Sequence, residues 1–127
     1  MARYDQAWCD DLAASVGGDP LLESAPMRVL YVISDTEEGK VAFHLELARG
    51  SVVSITAGKL PRGEKADVTV TAKEAVLLPL WQGDQWRDVS FMRGDLKIEG
   101  AYERWLDELV PLFEKDPWRS AWEDAAR

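Results

Sequence analysis

Across residues 40–49 the chain alternates residue by residue. Val41, Phe43, Leu45 and Leu47 fall on one side, and Ala42, His44, Glu46 and Ala48 on the other. A period of two belongs to a β-strand, so this segment can bury its apolar side only as part of a sheet. The choice is strict, because a one-residue slip in pairing would bury His44 and Glu46 instead. The pattern predicts a sheet that turns Phe43, Leu45 and Leu47 toward a covering layer and His44 and Glu46 toward water. Neighbouring segments extend it. Residues 27–34 are rich in Val, Ile and Tyr, residues 35–39 form a turn, and Arg49-Gly50 is a tight turn into residues 51–57. This is an antiparallel meander of three strands. Residues 58–65, with Gly58, Pro61 and Gly63, read as loop. Residues 66–72 return to alternation with Val68 and Val70 inward, and residues 96–99 make a short strand closed by Gly100.

Helical periods flank the strands. Tyr4, Ala7, Trp8, Leu12 and Val16 are spaced by three and four over residues 4–16, and Gly17-Gly18-Asp19-Pro20 stops that helix. Thr71 followed by Glu74 has the form of a capping box for a helix over residues 75–81, limited by Pro79. A second short helix follows Gly83-Asp84 and ends near Arg93-Gly94. Tyr102, Trp105, Leu106, Leu109, Val110 and Phe113 form a broad helical stripe, and Asp116-Pro117 opens a last helix. No internal repeat or long linker divides the chain. The reading is one α+β domain over residues 1–127: an N-terminal helix and connector to residue 26, a sheet with two inserted helices over 27–100, and C-terminal helices over 101–127. Its sheet has about five mostly antiparallel strands, covered on one face by helices.

Charge narrows the partners. The chain has 23 acidic and 15 basic side chains, a net charge of −8, and both halves are acidic. Nucleic acid and anionic membrane surfaces are therefore unfavoured. Its 46% apolar content suffices for a folded core. The longest apolar stretch, ending at Trp81, is far short of the roughly 20 residues a bilayer span needs, so stable membrane insertion is not expected. The acidic start of the chain lacks the apolar run of a signal peptide, and Ala125-Ala126-Arg127 is not a peroxisomal address. One cysteine, Cys9, fits a reducing compartment. Cytoplasmic residence is the expectation.

Catalytic motifs are nearly absent. There is no nucleophile elbow, phosphate-binding glycine loop, HExxH or CxxC, and His44 is the only histidine. His44 and Glu46 could act as an acid/base pair, but the alternation that points Phe43 and Leu45 inward points both outward. The pairs Asp10-Asp11, Glu37-Glu38 and Asp107-Glu108 lack the ligand spacing of a calcium loop and read as solvated surface. Asp10 and Asp11 oppose a thiolate at Cys9. No metal or cofactor is expected. Six tryptophans, four of them at or after residue 86, are the unusual feature. Ordinary core packing accounts for any one of them, and together they could line an apolar cavity.

One stretch resembles a known family. Residues 66–100 contain Ala66-Asp67-Val68-Thr69, a helix carrying Leu77-Leu78 that ends at Gly83, the pair Phe91-Met92, and Gly94-Asp95-Leu96-Lys97-Ile98-Glu99-Gly100. This ordered series resembles the sterol carrier protein type 2 family, and the similarity extends over about residues 40–113. The resemblance implies a sheet of about five strands covered by helices, with a hydrophobic tunnel between the layers that holds sterols, fatty acids, acyl-CoA or other lipids without covalent chemistry. Trp118 and Trp122 fall in a tail beyond it.

The expected function is non-catalytic binding or carriage of a lipophilic small molecule. Phe43 and Leu45 of the sheet, Leu77, Leu80 and Trp81 of the first inserted helix, and Trp86, Phe91 and Met92 of the second should wall the cavity. Trp105, Leu109 and Phe113 of the C-terminal stripe should complete it. Two alternatives stand beside this: a small isomerase, lyase or cyclase using His44 and Glu46, and an interaction subunit whose aromatic surface docks a protein partner or a second copy without ligand.

Overall fold

A computed structural model describes residues 4–16, 27–48, 51–60, 62–82, 96–105, 107 and 118–126. Helix α1 spans Gln6–Val16. Strands β1 (Met27–Thr36), β2 (Gly39–Ala48), β3 (Ser51–Ala57) and β4 (Val68–Lys73) follow, and β4 runs directly into α2 (Glu74–Trp81). Strand β5 (Leu96–Gly100) leads to a single turn, α3 (Tyr102–Arg104), and α4 (Trp118–Ala125) follows. The expected short helix over residues 83–94 and the stripe positions Leu106, Leu109, Val110 and Phe113 lie outside the described residues.

The sheet order is β3-β2-β1-β4-β5. Three pairings are antiparallel, as expected, and the β1–β4 pairing is parallel, so the sheet is mixed. The chain makes its meander through β3, then crosses back to lay β4 on the far side of β1. Asp67 sets that junction. Its N–H donates to Arg28 O (2.9 Å), its carboxylate accepts from Arg28 N–H (2.8 Å), and its carbonyl accepts from Ala101 N–H (2.7 Å). One residue thus joins the starting ends of β1 and β4 to the finishing end of β5. Gly100 completes the close approach at φ +90°, where a Cβ would land on the Asp67 carbonyl oxygen.

Strand β2 has the predicted facing. Phe43, Leu45 and Leu47 are buried, while His44 and Glu46 are half-exposed on the opposite side. β1 alternates in step with it: Met27, Val29, Tyr31 and Ile33 are buried and pair with Leu47, Leu45, Phe43 and Val41. Helices α1, α2 and α4 pack their apolar stripes onto the structure, α1 against β3, α2 against β1 and β4, and α4 against the two helices.

Local polar contacts fix the helix ends. The Asp5 carboxylate accepts from Trp8 N–H (2.8 Å), which is the N-cap of α1. The Gln6 amide donates to Ile55 O (3.1 Å) and accepts from Ala57 N–H (3.0 Å), pairing backbone groups along the edge strand β3. Carbonyls at the end of α4 accept from Trp8 Nε1 (Ala125 O, 3.0 Å) and Gln82 Nε2 (Ala126 O, 3.2 Å). The capping box expected from Thr71 does not form. β4 continues to Lys73, holding Thr71 extended between Val32 and Lys97. Lys73 is the N-cap residue and makes no side-chain cap bond; the Glu74 carboxylate instead accepts from Tyr4 Oη (2.9 Å). Ladder pairing on both sides outweighs one cap contact of about 1 kcal/mol. Pro79 lies inside α2, which ends two residues later at Trp81.

Three outcomes are expected. Gly100→Ala should lower stability by about 2 kcal/mol or more in denaturant unfolding, because a side chain at positive φ is strained and meets backbone that cannot rotate away. Trp122→Ala should cost about 3–5 kcal/mol and Arg119→Ala, exposed on the same helix, under about 0.5 kcal/mol. Cys9 is fully buried on α1, and burial, helped by Asp10 and Asp5, pushes its thiol from the ordinary 9.0 up to about 12. An unfolded chain ionises this thiol above pH 9 while the folded one holds the proton. Stability carried by Cys9 is therefore complete below pH 9 and lost as pH rises toward 12. The parent should lose stability faster than Cys9→Ala over that window, and native Cys9 should resist iodoacetamide at pH 8 until denaturant is added.

Candidate apolar binding site

The layer between sheet and helices is built from side chains that each element contributes by its own period. Every second residue of β1, β2 and β4 points into it, and α1, α2 and α4 close it with residues three or four apart. At its centre Tyr31 and Phe43, cross-strand partners, stack at 5.0 Å between ring centroids and 7° between planes. Trp81 of α2 and Trp122 of α4 stack at 4.8 Å and 15°. Trp81 meets Tyr31 edge-on at 5.9 Å, and Trp122 lies 5.6 Å from the same ring. Trp8 packs edge-on to Phe43 at 5.0 Å, Tyr4 lies 5.1 Å from Trp8, and Trp118 stacks on Trp122 at 5.8 Å. These spacings are those of rings in direct contact. In this part of the layer the protein's own aromatics fill the space.

Among the expected wall residues, Phe43, Leu45, Leu77, Leu80, Trp81 and Trp105 are all buried in one apolar cluster. Phe43 and Trp81 meet directly, with centroids 6.2 Å apart. Trp86, Phe91, Met92, Leu109 and Phe113 lie outside the described residues. The indole Nε1 of Trp105 is buried and has no hydrogen-bond partner among the described residues. Sequence reasoning missed the contribution of Trp8, Tyr31, Trp118 and Trp122 to this layer. Tyr31 was legible, since it alternates with Val29 and Ile33. Trp118 and Trp122 stand one helical turn apart, which is the signature of a buried stripe and not of an appended tail.

The chemistry of the layer is apolar. Burial keeps the Cys9 thiol on α1 protonated and neutral. His44 and Glu46 are engaged separately on the other face of the sheet: His44 Nδ1 lies 3.1 Å from Gly58 O, and Glu46 lies 3.5 Å from Arg28 Nε. Among the described residues no group of three or more His, Cys, Asp or Glu is placed to hold a metal, and no helix is long and apolar enough to cross a membrane. Among the described residues, two pockets open beside the layer. One of about 430 Å³ is lined by Tyr4, Val41 and the two lysines Lys40 and Lys59, among others; one of about 220 Å³ lies between α1 and α4 by Trp8, Asp11 and Asp124.

Solved structures share this fold at low sequence identity. A crystal structure of sterol carrier protein 2 aligns with a TM-score of 0.63 at 16% identity, over 98% of this chain and 95% of that one. The palmitated sterol carrier protein 2 like 2 of Aedes aegypti aligns with a TM-score of 0.64 at 17% identity, over 85% of this chain and 92% of its own. A sec-alkylsulfatase from Pseudomonas sp. aligns over 82% of this chain but only 14% of that enzyme, at 22% identity and a TM-score of 0.54. The same fold therefore also occurs as a small part of a much larger chain. No curated protein gives a significant match. The profile of the SCP-2 sterol transfer family matches residues 6–105, from the start of α1 to the buried Trp105. With that match across most of its length and a sheet-and-helix layer of the same fold, this chain belongs to the SCP-2 sterol transfer family.

Proposed function

We propose that this chain binds an elongated lipophilic molecule without covalent chemistry and serves as its carrier. One observation carries the reading: among the described residues the layer between sheet and helices is apolar on both sides, and the Cys9 thiol in it is held neutral. The described part of that layer offers mainly apolar contact area. Family membership and the palmitated mosquito neighbour support a lipid as the class of ligand. Phe43, Leu45, Leu77, Leu80, Trp81 and Trp105 form the described part of the wall. The remaining expected wall residues, Trp86, Phe91, Met92, Leu109 and Phe113, lie outside the described residues. The free Cys9 supports the cytoplasm as the place of work. The enzyme alternative loses its basis, because His44 and Glu46 face away from the layer and have separate partners.

The ring cluster sets what the carrier can hold. A ligand must insert beside the stacked Trp81 and Trp122 or shift them, so a slender acyl chain is favoured over a rigid sterol. Burying about 250 Å² of ligand would contribute about 6 kcal/mol at about 25 cal/mol per Å², before association costs. Affinity should then be micromolar at best. The test is organic extraction of the purified protein with mass spectrometry, followed by titration of fatty acids, acyl-CoAs and sterols against tryptophan emission and melting temperature. A co-purifying lipid, or an emission change with a rise in melting temperature that saturates with added ligand, is expected. An empty extract together with no response to any lipophile would overturn the reading and favour docking to a protein partner.

A further inference from the structure

The two edges of the sheet end differently. At β3 the Gln6 amide donates to Ile55 O and accepts from Ala57 N–H, so a side chain of α1 stands where a further strand would pair. The other edge is β5. Its residues Leu96–Gly100 pair with β4 on one side, and among the described residues no hydrogen bond reaches the opposite side. An edge strand left open in this way offers a row of N–H and C=O groups to any strand that arrives.

The side chains of β5 determine which strand fits. Ile98 lies opposite Val70 and packs against the core while remaining only partly buried. Lys97 and Glu99 are on the other face, opposite the neutral Thr71 and Thr69. Their side chains are 69% and 56% exposed, with Nζ 3.2 Å from Oε1. A lysine on an edge strand ordinarily discourages pairing with a copy, because like charges meet. Here the sign of the charge reverses across Ile98. In antiparallel pairing about a two-fold axis at Ile98, Lys97 faces Glu99 of the second copy, and Glu99 faces Lys97 of that copy. Moving the axis to Lys97 or Glu99, the nearest shifts that keep the apolar faces together, sets like charges opposite each other. Charge therefore selects one register, and it is the self-complementary one. A net charge of −8 opposes a chance approach of two chains, whereas this edge carries one charge of each sign.

We propose that β5 pairs with β5 of a second copy of this chain, antiparallel and two-fold symmetric about Ile98, so that the two sheets join edge to edge. The two helical layers then lie on one side of the joined sheet, where Ile98 meets its copy. Lys97, Glu99 and their copies form a cluster of alternating charge on the other side. This inference goes beyond the carrier reading and does not depend on it. A five-residue ladder is small against the roughly 1,200–2,000 Å² of a stable interface, so the dimer is reversible and forms at high protein concentration.

Sedimentation velocity of the full chain, from about 10 μM to about 1 mM, should show monomer passing into dimer. Lys97→Glu and Glu99→Lys should each weaken dimerisation by about tenfold, because each sets like charges opposite one another in both cross-strand pairs. The double variant Lys97→Glu, Glu99→Lys keeps the net charge at −8 and should restore it. An equimolar mixture of the two single variants should associate more tightly than either variant alone. Amide exchange along β5 should slow with concentration in the parent and not in the single variants. Both side chains are exposed, and an unchanged melting temperature in dilute solution shows that the variants fold. A parent that stays monomeric at about 1 mM would overturn the inference. So would weakening by Lys97→Glu with strengthening by Glu99→Lys, the mark of net charge alone. A dimer indifferent to both reversals would place the interface elsewhere and overturn it too. Lipid binding is unaffected by any of these results, since extraction and titration test it separately.

Discussion

The structure depends on one contact, the stacked pair of Tyr31 and Phe43 on neighbouring strands, and on what covers it. Both side chains point inward because β1 and β2 alternate in step, and their pairing brings the rings face to face at 5.0 Å. Trp8, Trp81 and Trp122 then close over the pair from three helices that are far apart in sequence. Each buried ring removes a large apolar area from water and adds a geometry-dependent gain of about 0.5–1.5 kcal/mol per ring pair. A slip of β2 by one residue would replace Phe43 by His44 under those tryptophans, and a missing α4 would uncover them. Register, helix packing and the closing helix are thus one cooperative commitment.

Polar side chains secure the edges of that core. Asp5 caps α1, Gln6 satisfies the edge strand, Trp8 and Gln82 reach the last carbonyls of α4, and Asp67 joins three strand ends. These bonds satisfy backbone groups that would otherwise be left without partners, which is where hydrogen bonds have their largest effect. The ion pairs contribute less, since those of Arg28, Lys73 and Lys97 lie at the surface with long, solvated side chains. Tyr4 belongs to both groups, for its ring lies in the core and its hydroxyl links the starts of α1 and α2 through Glu74.

Function follows from how this arrangement divides apolar and charged groups. The described interior is an apolar cluster, while Lys40 and Lys59 border a pocket at the end of the sheet near Tyr4. The single histidine has a role in this division as a brace. His44 holds Gly58 and with it the chain that carries Lys59. A residue first weighed as a catalytic base instead positions backbone on the outer side of the sheet.

Much of the fold was legible from the chain alone. Alternation determined the strands and their buried faces, because a period of two leaves a strand only two faces and only one of them here is apolar. The three-and-four spacing in α1 and the glycine closing β5 were equally clear, as was the family resemblance over residues 66–100. Some features depended on tertiary structure. That β4 lies parallel beside β1, and not antiparallel beyond β3, was decided by where a ten-residue connection returns, which no local period encodes. Thr71 remained in a strand because ladder bonds on two sides outweighed a local cap. Trp118 and Trp122 joined the core because α4 folds back over Trp81, a contact between residues about forty apart. The pocket bordered by Lys40 and Lys59 was invisible in sequence for the same reason: these residues are nineteen apart and come to border one pocket only where the edge strand stops short. Sequence fixes what each element must bury, and the fold decides which distant residues become neighbours, because that choice depends on how all the buried faces can be satisfied at once.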